Sequence, residues 1–358
     1  MNYAVIMAGG TGTRFWPVSR MKTPKQLLVI GGDETLLEQT VHRIQPLVPA
    51  ERIMVVTGDA IAEESAAILP PAAAANLVSE PCRRNTAPCA AVAAKILVDR
   101  DPDAVVALLP ADHAILKAEE FLRILSAAMT VAAREDVLIT LGITARRPDT
   151  GFGYIEIGGH AGREDECDYH YVTKFHEKPE PHRAKKFAES GRYFWNAGIF
   201  VFRADTLLRA VAKTLPDLYE QIGPIDGRAP ADRLKAQINA VYPALTPVSI
   251  DVGVMEKVDN LLVFPADIGW SDVGSWTALR ELFEPDTAGN VTEGRHVAMG
   301  ESRNNTVYAK DGVVVTIGVD DLIIVHTPDA TLVARRDQAQ EVKHVFDELE
   351  KHGWDKYR

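Results

Sequence analysis

Short, unbroken apolar runs recur through the first 143 residues, separated by stretches whose apolar positions repeat every three or four residues. The runs 3–7, 53–57, 76–79, 105–109 and 137–143 have strand length, so each is a predicted strand. Runs that are apolar at nearly every position suit strands covered on both faces. Between them, Leu37, Val41, Ile44 and Val48 share one helical face, and Thr35 with Glu38 forms a capping-box pattern ahead of it. Leu122, Leu125, Met129 and Ala132 mark a second helix. Alternating strands and helices predict an α/β domain, a mostly parallel sheet with helices on both faces. Ligands of such sheets bind beyond the carboxyl ends of the strands, so the loops there are the places to seek chemistry.

The pattern changes near residue 285. Residues 284–290 (Glu-Pro-Asp-Thr-Ala-Gly-Asn) read as a linker. Beyond it, the β-type runs 305–309, 313–317, 322–326 and 331–334 follow one another with close turns and no helix between them. An amphipathic helix is predicted over about 338–352. The expected domains are therefore 1–285, α/β, and 290–358, small and β-rich.

Composition narrows the function classes. With 46% hydrophobic and 25% charged residues, the 358-residue chain is an ordinary globular one. Its net charge of −11 argues against nucleic acid and against an anionic membrane as partners. Cys82, Cys89 and Cys167 show neither disulfide-framework nor zinc spacing, which suits reduced thiols. Apolar runs are too short to span a bilayer, and the N-terminus opens on a strand pattern without a basic leader. A cytoplasmic location is expected.

Directly after the first strand comes Ala8-Gly9-Gly10-Thr11-Gly12-Thr13-Arg14-Phe15-Trp16-Pro17-Val18-Ser19-Arg20-Met21-Lys22-Thr23-Pro24-Lys25-Gln26. Its glycines allow close backbone approach to an anion. The nineteen residues hold Arg14, Arg20, Lys22 and Lys25 but no acid, where the chain-wide proportion of 50 acids in 358 residues predicts about 2.7. A Walker loop needs Gly-Lys-Ser/Thr, and Thr13-Arg14 follows Gly12 instead. A dinucleotide fingerprint needs a small residue where Phe15 stands. A cationic glycine loop in an acidic chain suits a triphosphate.

Other loops carry candidate chemistry. In Glu80-Pro81-Cys82-Arg83-Arg84-Asn85-Thr86-Ala87-Pro88, Asn85 or Thr86 would cap the following helix. Asp112 follows the apolar strand 105–109, where a carboxylate can hold a cation or merely cap a helix. Trp270-Ser271-Asp272-Val273-Gly274, Gly151-Phe152-Gly153, Glu177-Lys178-Pro179, Trp195-Asn196-Ala197-Gly198 and the stretch 249–257, with Asp251, complete the set.

Together these segments resemble the sugar-nucleotide pyrophosphorylases, and Arg14-Phe15-Trp16-Pro17-Val18-Ser19-Arg20 is most similar to the mannose-1-phosphate guanylyltransferase family. The resemblance implies a Rossmann-like nucleotidyltransferase domain followed by a short left-handed β-helix. It implies that Ala8, Gly9, Gly10, Thr11, Gly12 and Thr13 hold nucleotide phosphates with Arg14 and Lys25. The Glu80, Asn85 and Thr86 loop would face the base, with Glu80 accepting from guanine. Asp112 and Asp272 would hold Mg²⁺. Gly153, Glu177, Asn196 and Asp251 would contact the sugar, and Lys178 its phosphate. The implied reaction joins GTP and mannose 1-phosphate into GDP-mannose and diphosphate, by direct attack without a general base or covalent intermediate. Alternatives are another sugar phosphate or nucleotide, such as a glucose or heptose phosphate, or a non-catalytic regulatory relative. Longer relatives carry an isomerase domain, which is not expected here. A homodimer through the C-terminal domain is expected.

Overall fold

The computed structural model describes residues 1–10 and 12–358; Thr11, an expected phosphate ligand, lies outside the described residues. The chain forms two compact units. One comprises Met1–Gly9, Val41–Ala111 and Lys117–Trp270; the other comprises Gly10–Thr40, Asp112–Leu116 and Ser271–Arg358.

The first unit is built on a nine-stranded sheet. In chain order its strands are β1 (Asn2–Ala8), β2 (Ile53–Gly58), β3 (Val78–Glu80), β4 (Val105–Pro110), β5 (Leu138–Thr144), β6 (Tyr154–Glu164), β7 (Cys167–His176), β8 (Tyr193–Arg203) and β9 (Leu261–Pro265). The spatial order is β3-β2-β1-β4-β8-β5-β9-β7-β6. The pairings make β7 and β8 run against the other seven strands, so the sheet is mostly parallel, as the alternating pattern predicts. Ala4, Val5 and Ile6 of β1 have no exposure, which explains its unbroken apolar run. The helix Thr86–Arg100 buries Ala87, Ala90, Ala91, Ala93 and Ala94 in the core. Such small side chains let a helix lie close to its neighbours.

One sequence expectation shifts in detail. The helix containing Leu37 and Val41 spans Leu36–Ile44 and stops short of Val48, because Gln45 precedes Pro46 and the residue before proline disfavours helical backbone. Its start is as expected: the Thr35 backbone N–H donates to Glu38 Oε2 (2.8 Å) and the Glu38 N–H donates to Thr35 Oγ1 (3.2 Å).

The second unit has its own core of Phe15, Trp16, Trp276, Tyr308, Ile323 and Phe346, among others. Its four-stranded sheet consists of β10 (Val291–Met299), β11 (Thr306–Ile317), β12 (Leu322–His326) and β13 (Thr331–Arg335). The first three pair in parallel and β13 pairs antiparallel to β12. Parallel neighbours joined without helices form a coil of the β-helix type. Residues 305–309 and 313–317, read as two strands, are one strand, and β10 lies where no strand was expected. At Gly294 (φ 104°) a Cβ would come within 2.1 Å of the Ala309 oxygen, so only glycine lets these strands meet. The segment read as a linker is a tied turn: Asp286 Oδ1 accepts from the backbone of Ala288 and Asn290. The expected terminal helix divides into a tight helical stretch Arg336–His344 and an α-helix Val345–Lys351, yet Ala339, Val342, Phe346 and Leu349 all bury as that stripe requires. Among the described residues no helix is long and apolar enough to cross a membrane.

Candidate active site

In the second unit the glycine loop folds into a rigid cradle. Gly12 (φ 63°) opens the tight turn Thr13–Phe15, and a Cβ on it would lie 2.4 Å from Lys25 Cβ. The aromatic residues that follow are anchors. Phe15 meets Trp276 edge-to-face at 5.0 Å, the Trp276 indole donates to the Trp16 carbonyl (3.0 Å), and the Trp16 indole donates to the Tyr357 carbonyl (2.8 Å). The loop's cations divide by job: Arg20 pairs with Asp329 (3.0 Å), whereas Arg14 and Lys25 line a cavity of about 350 Å³. Gly12, Thr13, Asp112, His113 and Asp272 line it too, as does Lys343 from the C-terminal segment.

Lys25 ties the two aspartates together. Its buried ammonium lies 2.9 Å from Asp112 Oδ2 and donates to the Asp272 backbone carbonyl at 2.5 Å. Burial would raise the Asp112 carboxyl, but the Lys25 and His113 charges outweigh it and hold the group below the usual carboxylate range. Val273 (φ 45°) is fully buried; a β-branched residue there is a backbone outlier that surrounding packing must enforce. Ser271 Oγ supports this turn by accepting from the Val273 N–H at 3.2 Å. Asp112 and Asp272 line one cavity, and carboxylate oxygens are the donors that a hard divalent cation shared with phosphate oxygens takes.

In the first unit, the expected sugar residues come together. A register shift where β5 pairs with β8, between Thr140 and Gly142, sits beside Asn196. Asn196 Oδ1 accepts from Thr140 Oγ1 (3.0 Å) and the Gly198 N–H (3.1 Å), which turns its amide nitrogen toward Asp251 Oδ1 (2.8 Å). The Asn196 backbone N–H donates to the Gly153 carbonyl (2.9 Å). A Cβ on Gly153 would sit 2.8 Å from Glu177 Oε2, so the glycine makes room for that carboxylate. Lys178 (φ 42°) forms an ion pair with Glu177, and the Glu177 N–H donates to Glu256 Oε1 (3.2 Å). Burial, reinforced by the Glu177 charge, pushes the Asp251 carboxyl up to about 6, against the pull of Lys178 and Asn196. Thr140, Glu256 and Lys343 were not singled out from the sequence. Glu256 lies within a family-like stretch that could have flagged it; Thr140, inside an apolar strand, carries no local signal.

The expected base loop is a third cluster, also in the first unit. Asn85 caps the helix Thr86–Arg100 by accepting from the Thr86 N–H (2.8 Å), and Thr86 Oγ1 accepts from the Ile250 N–H (2.9 Å). Glu80 is buried and accepts from the Tyr242 hydroxyl; burial raises its carboxyl, while that bond, one from Cys89 and the Arg83 charge oppose the rise. Both residue sets thus have structural work in addition to any with a ligand. Ala8 ends β1 and Gly9 follows it: the Ala8 carbonyl accepts from Thr57 Oγ1 (3.0 Å), and a Cβ on Gly9 would lie 3.9 Å from Glu80 Oε2. In the second unit, Gly10 stands beside Asp112, its Cβ position 3.8 Å from Oδ2.

Comparisons with known proteins identify the family. Residues 3–289 match the nucleotidyl transferase family and residues 294–349 match the MannoseP isomerase/GMP-like beta-helix domain. The chain is 37% identical to mannose-1-phosphate guanylyltransferase 2 of Escherichia coli O157:H7, covering 97% of this chain and 73% of that protein. It is 39% identical to the alginate biosynthesis protein AlgA of Pseudomonas syringae pv. tomato, covering 98% and 72%. Among solved structures it is similar to one described as mannose-1-phosphate geranyltransferase from Thermus thermophilus, with a TM-score of 0.86, 35% identity and coverage of 98% and 99%. With residues 3–289 and 294–349 both matched, the chain belongs to the nucleotidyl transferase family of enzymes, alongside the mannose-1-phosphate guanylyltransferases.

Proposed function

We propose that the chain transfers a guanylyl group from GTP to α-D-mannose 1-phosphate, giving GDP-mannose and diphosphate. The observation that carries this reading is the cavity where Gly12, Arg14, Lys25, Asp112 and Asp272 converge. A phosphate monoester is already an anion at neutral pH, so it can attack the α-phosphorus without a base, and catalysis reduces to positioning and charge neutralisation. Arg14 and Lys25 neutralise charge on the departing diphosphate. Asp112 and Asp272 hold Mg²⁺, which when bound supplies further charge to the phosphate oxygens. In the other unit, Glu177, Asn196 and Asp251 receive sugar hydroxyls. Lys178 leaves Glu177 to grip the sugar phosphate. The loop of Glu80, Asn85 and Thr86 faces the base.

The chain acts as a homodimer in this reading. Val297 and Met299 on β10 stand beside Val315 and Ile317 on β11, all about half exposed or more, giving an apolar strip that suits a second copy.

Diphosphate release measured with GTP or ATP, each against mannose 1-phosphate or glucose 1-phosphate, tests the assignment. GTP with mannose 1-phosphate should give the highest kcat/KM by about tenfold or more, the scale of a site built to hydrogen-bond its own substrate. A faster alternative pair would replace it.

A further inference from the structure

Three cations line the phosphate cavity, and they are not equivalent. Lys25 is neutralised by Asp112. Among the described residues neither Arg14 nor Lys343 forms a side-chain hydrogen bond or ion pair. Lys343 belongs to the segment matched by the beta-helix domain, far along the chain from the glycine loop. Its backbone is nonetheless anchored by its neighbour. The preceding residue, Val342, is buried in the cluster that holds Phe15 and Trp16. Arg20 to Asp329 and Trp16 to Tyr357 tie the same parts of the chain together within this unit.

We propose that Lys343 is a phosphate ligand of the nucleotide site, supplied by the C-terminal segment. Charge balance gives it a purpose. Among the arginine, lysine and aspartate side chains, Arg14, Lys25 and Lys343 against Asp112 and Asp272 leave one positive charge in excess; without Lys343 that sum is zero. A polyphosphate carries several negative charges, so each cation without a protein counter-charge adds to the site's attraction for it, and Lys343 is such a group beside Arg14. A lysine at the end of a helical stretch also interacts favourably with the helix dipole, a role that needs no ligand. The two roles separate by ligand. The proposal rests on the transferase reading only in naming the anion a nucleoside triphosphate.

Calorimetric titration of the full-length protein and its Lys343→Ala and Lys343→Arg variants with GTP, diphosphate and mannose 1-phosphate tests it. Lys343→Ala should weaken GTP and diphosphate about tenfold, as loss of one charge-assisted hydrogen bond does, with mannose 1-phosphate unchanged. Lys343→Arg should retain most of the affinity, and thermal midpoints of all three should agree. GTP and diphosphate binding equal to wild type in Lys343→Ala overturns the inference, as does equal weakening of all three ligands. If the wild type prefers ATP or UTP, the guanylyl assignment fails while the variant is judged with that nucleotide. If the wild type binds neither nucleotide nor diphosphate, both readings fail.

Discussion

The cavity around Lys25, proposed for phosphate, and the cluster around Asn196, proposed for the sugar, both carry aspartates, yet the protein treats them oppositely. Asp112 is held ionised by Lys25 and His113, whereas Asp251 is pushed toward neutrality by burial and the neighbouring Glu177. Under the proposed function, the difference follows from what each region binds. Cations and phosphates call for a fixed charge beside a fixed counter-charge. Sugar hydroxyls, which both donate and accept, are served by a group poised near its own titration point. The scaffolds differ in the same sense. The phosphate cradle is clamped by buried aromatics and a glycine that tolerates no side chain, while the sugar cluster is a network of polar side chains around a sheet irregularity.

The largest expected effect lies in the charged region. Asp112→Asn and Asp272→Asn should each lower kcat by about 10² or more, the scale of losing one strong electrostatic stabiliser, measured as diphosphate release across a Mg²⁺ titration. Near-normal turnover in both at limiting Mg²⁺ would erase the contrast between the two regions.

Next comes the pH response of Asp251. Its folded pKa of about 6 stands above the ordinary 3.8, so the folded state keeps a proton that the unfolded chain has released. Stability is therefore expected to fall as pH rises from about 4 through 6, by on the order of 2 kcal/mol, and to stay lower above that range. Asp251→Asn, neutral throughout, should remove this component. Urea midpoints at pH 4.5 and 7.5 would show it; an identical pH response in variant and wild type would mean that Asp251 titrates normally.

The smallest effect concerns the apolar strip. Val315→Lys with Ile317→Lys should shift the protein to monomer in sedimentation while changing stability by only about 0.5 kcal/mol, as exposed substitutions do. An unchanged dimer would direct the interface elsewhere.

Much of this was legible in the sequence because it is local. Unbroken apolar runs give buried strands, Thr35 and Glu38 give the helix start, and Gly153, Glu177, Lys178, Asn196 and Asp251 do converge. What stayed hidden depends on distant partners. Nothing beside Glu80 in the chain announces Tyr242, nothing beside Arg20 announces Asp329, and Lys343 is an ordinary surface lysine until its cavity is seen. The end of the helix at Ile44 was readable from Pro46, but the apolar spacing through Val48 overrode it.

The separation of the two regions is tested most directly by crossing KM values in Arg14→Ala and Lys178→Ala. Arg14→Ala should raise KM for GTP about tenfold and leave mannose 1-phosphate unchanged, and Lys178→Ala should do the reverse. Equal rises for both substrates in either variant, or the opposite assignment, would contradict the account.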